Sequence, residues 1–128
     1  MHGARVLHGR PRAQRLADGD LVTLDLAVSP DGVAADSAVS VVVGHAAPEA
    51  AALIAATERA LAAGIAAVRP GLLLALEPWV MADTDDLVTD PDGWTLRSAT
   101  GCATAHSEHT VLVTDDGVEI LTLPPRRG

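Results

Sequence analysis

Lysine, asparagine, phenylalanine and tyrosine are all absent from this 128-residue chain. Two of these absences remove whole chemistries: without lysine there is no Schiff-base catalysis, and without tyrosine no phenolic acid or base. The 9 basic residues are all arginine, and against 17 acids they leave a net charge of −8. That balance excludes nucleic-acid partners, whose recognition needs clustered cations. The single cysteine, Cys102, has no internal disulfide partner, which fits a reducing compartment. Also missing are a Gly-x-Ser-x-Gly elbow, a phosphate-cradling glycine loop, a His-Glu-x-x-His helix and the spacing of a structural zinc site. The start of the chain leads into no apolar leader, and glutamate, proline or arginine interrupts each apolar stretch before membrane-spanning length. No membrane partner and a cytoplasmic location are therefore expected.

What is present suits one compact domain spanning residues 1–128, with 48% hydrophobic and 20% charged residues. The segment to about Asp20 reads as irregular, broken by Gly9 and Pro11. Leu21 to Val28 reads as a strand, Ser29-Pro30-Asp31-Gly32 as a turn, and Val33 to Val43 as the returning strand. Pro48 and Glu49 open an alanine-rich helix to about Val68, with Ile54, Leu61, Ile65 and Val68 as its buried stripe. Pro70-Gly71 stops it. Leu72 to Ala82 and Ala103 to Thr114 read as further strands, and Asp90-Pro91-Asp92-Gly93 as a turn ahead of Trp94-Thr95-Leu96. Asp115-Asp116-Gly117 turns the last strand back through Val118 to Leu123, and the tail from Pro124 should fray. The order predicts an α+β fold with one main helix on a mostly antiparallel sheet.

Four acids interrupt these apolar runs. A turn centred on Pro30-Asp31 sets Asp25 opposite Asp36, give or take one residue. Like charges facing across a strand pair need a shared proton, an arginine or a cation, and converging carboxylates suit hard divalent metals. The alternative is that both lie on a solvated face, with Leu24, Leu26 and Val28 on the other. Glu77 breaks Leu72-Leu73-Leu74-Ala75-Leu76 and precedes Pro78, so it is either compensated or at an exposed edge. Glu108 shares a strand face with His106, while His109 takes the other; the group is either a metal or acid–base pair or a polar strand end.

Asp18-Gly19-Asp20-Leu21-Val22-Thr23-Leu24-Asp25, with Asp36-Ser37 eleven residues after Asp25, resembles the first metal-binding hairpin of methionine aminopeptidases. Glu77-Pro78, Asp92-Gly93-Trp94-Thr95 and Ser107-Glu108-His109-Thr110 through Thr122 follow in that family's order, and Leu7-His8-Gly9 matches the place of a substrate-contacting histidine. The resemblance runs from about His8 to Thr122. It implies an incomplete pita-bread fold and hydrolytic removal of methionine from N-terminal Met peptides or nascent chains. It also implies two divalent metal ions (Co, Mn, Fe or Zn). Asp25 would hold one metal, Asp36 and Glu108 would bridge both, and Glu77 would ligate the other and move protons. His8 would contact the substrate near the scissile amide.

The departure from the family is an internal one. Arg69-Pro70-Gly71 runs straight into Leu72-Leu73-Leu74-Ala75-Leu76-Glu77, where the family has several dozen further residues, including its only histidine metal ligand. Much of the family's region ahead of the hairpin is also absent. The remaining carboxylates should favour Mn²⁺ or Mg²⁺. His106 is the candidate substitute ligand, because its ring projects to the same face as Glu108. With the second half of the fold cut down, an uncovered sheet face should invite self-association. Three functions follow: a methionine aminopeptidase impaired by the deletion, a non-catalytic metal-binding or interaction protein derived from one, and an X-Pro peptidase-like hydrolase of the same fold. Release of Met from a Met-Ala-Ser peptide separates the first two, and Pro-containing dipeptides test the third.

Overall fold

The computed structural model describes residues 5–70 and 73–124. The Gly71–Leu72 junction, His2 and the tail from Pro125 onward lie outside the described residues. The main sheet starts with the expected hairpin, β2 (Leu21–Val28) and β3 (Ala35–Val42), both rich in β-branched residues. Its central strand is β9 (Glu108–Thr114), which pairs along one edge with β3 through Glu108 and His109 and then with β10 (Gly117–Ile120). Along its other edge β9 pairs with β4 (Leu73–Leu76). A two-stranded sheet joins β5 (Trp79–Met81) to β8 (Thr104–His106), and a three-stranded one orders β1 (Arg5–Leu7), β7 (Leu96–Ser98) and β6 (Leu87–Thr89). All these pairings are antiparallel.

The one α-helix among the described residues, α1 (Pro48–Ala67), starts with Pro48 and Glu49 in its first turn. Leu61 and Thr57 are its buried residues, whereas Ile54, Ile65 and Val68 of the expected stripe are half-buried. Thr57 accepts a hydrogen bond from the Ser107 hydroxyl at 3.2 Å and donates to the Ile54 carbonyl at 2.7 Å, which fixes the helix on the sheet. By length and composition α1 could cross a membrane, despite Glu58 and Arg59 midway. Here it packs against β3, β4, β5, β8 and β9.

Three expectations are corrected. The hairpin loop takes six residues around a 3₁₀ turn at Pro30–Gly32, with Asp31 and Gly32 at φ 50 and 84°. Its centre therefore falls between Asp31 and Gly32, and the register sets Asp25 opposite Ala38 and Asp36 opposite Ala27. The two acids share one face as diagonal neighbours, so the direct like-charge pairing does not arise. Next, neither long strand is continuous: 72–82 breaks at Glu77-Pro78 and 103–114 breaks at Ser107. Proline has no N–H for a ladder, and the two chains cross between sheets at the same level. Finally, β1 and β6 lie in segments that showed no strand pattern, because three residues are too few to display alternation.

The hairpin's other face is apolar and open. Leu24, Leu26 and Val28 are 61%, 68% and 49% exposed, with Val39 and Val41 beside them at 49% and 41%.

Candidate metal centre

The acid-bearing face of the hairpin is lined by Thr23, Asp25, Asp36, Ala38 and Ser40. Thr110 on β9 clamps Asp36 from both sides: its hydroxyl accepts from the Asp36 N–H at 2.7 Å and donates to the Asp36 carbonyl at 2.9 Å. One Asp36 carboxylate oxygen accepts from the Ser37 N–H at 2.9 Å. Asp25 is exposed and Asp36 half-buried, and a carboxylate oxygen of each lies within 4.8 Å of one from Glu108.

Glu108 reaches this face through the broken strands. The β4–β9 register pairs Leu76 with His109, and the β5–β8 register pairs Trp79 with His106. Carried through the break, the same register places Glu77 opposite Glu108. The Ser107 N–H, donating to the Pro78 carbonyl at 3.3 Å, holds the two breaks together. Glu108 is 3% exposed, whereas the Glu77 side chain is half exposed. Burial pushes the Glu108 carboxyl up to about 7, and Asp36, Glu77 and Asp25 push the same way.

His106 completes a second trio. Its Nε2 lies 3.7 Å from a Glu108 carboxylate oxygen and 4.0 Å from one of Glu77. Neither distance is a hydrogen bond. The ring is 1% exposed, and neither nitrogen has a hydrogen-bond partner among the described residues. Burial lowers its pKa, Asp25 and Asp36 oppose that, and the charge of His8 adds to it. The backbone of His106 is tied to the hairpin: its N–H donates to the Ser40 hydroxyl at 2.8 Å, Ser40 also contacts its carbonyl at 2.8 Å, and Thr23 meets Ser40 at 2.8 Å.

The positioning roles of Thr110, Ser40 and Thr23 were not read from the sequence. A signal existed: Thr23 and Ser40 are small polar residues that alternate onto the face of Asp25 and Asp36. Of the other histidines, His109 faces away and meets the Thr122 hydroxyl at 2.8 Å, and His45 sits with Asp18 at the hairpin's base. His8 is exposed, with φ 59°, and its ring lies 4.8 Å from that of Trp94. The Trp94 loop is held by Asp92, which the Thr95 hydroxyl and the Thr95 and Trp94 N–H groups pull down to about 2. His8, Gly9, Arg10, Leu24, Asp25 and Leu26 border an open groove of about 610 Å³ along the edge strand β2.

Residues 2–75, more than half of the chain, match metallopeptidase family M24. The chain belongs to that family. It is 30% identical to the methionine aminopeptidase of Treponema pallidum (strain Nichols), across 93% of this chain and 69% of that protein. Against the methionine aminopeptidase of Aquifex aeolicus (strain VF5) the identity is 28%, across 91% and 68%. The crystal structure of methionine aminopeptidase from Rickettsia prowazekii superposes with a TM-score of 0.88 at 26% identity, covering 95% of this chain and 72% of that one. The enzyme from Thermotoga maritima gives a TM-score of 0.89 at 24% identity, over 96% and 72%, and speaks for the fold alone. The sheets and helix described above are thus an M24 pita-bread fold with part removed. Alignment to the Treponema protein runs over 175 residues, so several dozen of its positions have no counterpart in these 128.

M24 membership implies use of divalent metal, and the residues fit it. Two trios, Asp25–Asp36–Glu108 and Glu77–His106–Glu108, each bring three ligand atoms within 4.8 Å of one another and meet on one carboxylate. Oxygen donors suit hard divalent ions, and burial together with the neighbouring Asp36, Glu77 and Asp25 makes the Glu108 carboxylate a position that a cation would stabilise.

Proposed function

We propose that this chain is a metal-dependent aminopeptidase that removes the initiator methionine from nascent polypeptides in the cytoplasm, acting as a single truncated domain. The observation that carries this is the meeting of two ligand trios on Glu108 within an M24 fold. Asp25 would hold one ion, Glu77 the other, and Asp36 and Glu108 would contribute to both; the carboxylates would favour Mn²⁺ or Mg²⁺. Such a pair of ions supplies Lewis acidity toward the scissile carbonyl and lowers the pKa of water at the site.

The chain's own residues do the rest. Glu77, half exposed, can pass a proton between the attacked amide and solvent, a role closed to the buried Glu108. His8, against Trp94 at the mouth of the groove, contacts the substrate near the amide being cut. An extended peptide can lie in that groove beside β2, where strand-edge backbone groups bind extended chains. The open Leu24–Leu26–Val28 face is the surface for self-association.

The test is release of methionine from a Met-Ala-Ser peptide by metal-depleted protein resupplied with Mn²⁺. Metal-dependent release, slower than that of a complete relative, is the expected result. No release at concentrations that saturate ion binding would overturn it in favour of a non-catalytic metal-binding protein.

A further inference from the structure

Within the cluster, one side chain has no place in the family's ligand pattern. His106 enters from β8, two residues before Glu108, and its ring is 1% exposed with both nitrogens unpartnered among the described residues. Burying an imidazole with no hydrogen-bond partner is unfavourable, so a fold that keeps one there needs a reason. Its Nε2 stands 3.7 and 4.0 Å from oxygens of Glu108 and Glu77. Those separations are too long for hydrogen bonds. They suit atoms that share an ion, since ligands about 2.0–2.2 Å from one metal lie roughly 3–4 Å from each other.

The backbone is arranged to hold this position. Ser40 grips both the N–H and the carbonyl of His106, and Thr23 grips Ser40. The His106 backbone is thereby anchored to the same hairpin that carries Asp25 and Asp36. Glu108, two residues further along the chain, and Glu77, opposite it in the break between β4 and β5, flank the ring. With its backbone fixed and its ring buried, His106 has little rotamer freedom left to lose on binding an ion.

Resting on the metal-dependent reading above, we infer that His106 is a direct ligand of the ion held by Glu77 and Glu108. It restores to this shortened chain the imidazole that was lost with the deleted segment. The nitrogen comes from the end of β8, two residues before the shared glutamate that opens β9, so the deletion and the substitute ligand are compatible in one site. The donor set of that half becomes two carboxylates and an imidazole, which shifts preference from Mg²⁺ toward Mn²⁺ and Co²⁺.

The experiment uses the full chain, depleted of metal and titrated with Mn²⁺ alone, read by calorimetry and by pulsed EPR for nitrogen coupling to the ion. The parent should show imidazole coupling. His106→Gln should lose it and bind one of its ions roughly tenfold to a hundredfold more weakly, with its Co²⁺ affinity falling more than its Mg²⁺ affinity. A second variant, with His2, His8, His45 and His109 all changed to Gln, should retain the coupling even if His106→Gln fails to fold. Absence of coupling in the parent, its survival in His106→Gln, or its loss in the fourfold variant would each overturn the assignment. No peptide is involved, so nitrogen-coordinated Mn²⁺ without methionine release would refute only the aminopeptidase reading. Release without nitrogen coupling would refute only this one.

Discussion

On one side of Glu108 stand Asp25 and Asp36, supplied by a single hairpin and reached by solvent. On the other stand Glu77 and His106, brought from separate strands to a break where two sheets meet, with the ring of His106 buried. The open half carries charges that water already solvates, so an ion there replaces water at little electrostatic gain. The closed half holds a desolvated carboxyl and an unpartnered ring, so an ion there relieves a penalty built into the fold. Ion binding should therefore couple to stability and pH chiefly through the closed half.

The sharpest way to break this contrast is to remove what the halves share. Glu108→Gln should weaken Mn²⁺ binding at both halves, by roughly a hundredfold or more, whereas Asp25→Asn should weaken one ion by about tenfold. Calorimetry on metal-depleted protein resolves the two, and equal, single-site losses would dissolve the shared-ligand picture.

The metal-free protein offers the opposite reading of the same residue. Glu108 titrates near 7 in the fold and near 4.5 when unfolded, so between these values the folded state holds the extra proton. Stability from this group is present below 4.5 and is lost as pH rises through 7. Glu108→Gln has no such loss. Its advantage over the parent in urea unfolding should grow from pH 4.5 to 7 and reach on the order of 3 kcal/mol. Saturating Mn²⁺ should reverse the order. A constant difference across that pH range would show that the closed half carries no buried penalty.

On the open half the expected effects are smaller. Thr110→Val removes both bonds to the Asp36 backbone and should destabilise by about 1–2 kcal/mol, with a loss of a few-fold in affinity for one ion. Unchanged binding by titration would mean that Asp36 is placed by the hairpin alone. The smallest change concerns the back of the same hairpin. Leu24→Ser with Leu26→Ser should leave ion binding intact, lower self-association in sedimentation runs, and alter stability little, since both side chains are already exposed. Identical sedimentation of parent and variant would show that this face has no partner in a second copy.

Local pattern in the chain was enough for the first hairpin, the proline-capped helix and the chemical identity of the acids. Each of these is written in a window of a few residues: alternation over Leu21–Val28, a turn at Pro30–Gly32, and an acid inside an apolar run. The open half of the site was legible for that reason, since Asp25 and Asp36 sit eleven residues apart on one supersecondary unit. Even there the loop length set the register, and the two acids came out diagonal rather than opposed. The closed half depended on contacts far apart in the chain. Glu77 and Glu108 face each other only because two strands break at the same level, through Pro78 and Ser107, and one register continues across the break. His106 shared a face with Glu108 by simple alternation. Its burial, its lack of partners and its clamp by Ser40 and Thr23 arise where β8 meets the hairpin, because desolvation belongs to the packing around a residue and is not written in its neighbours along the chain.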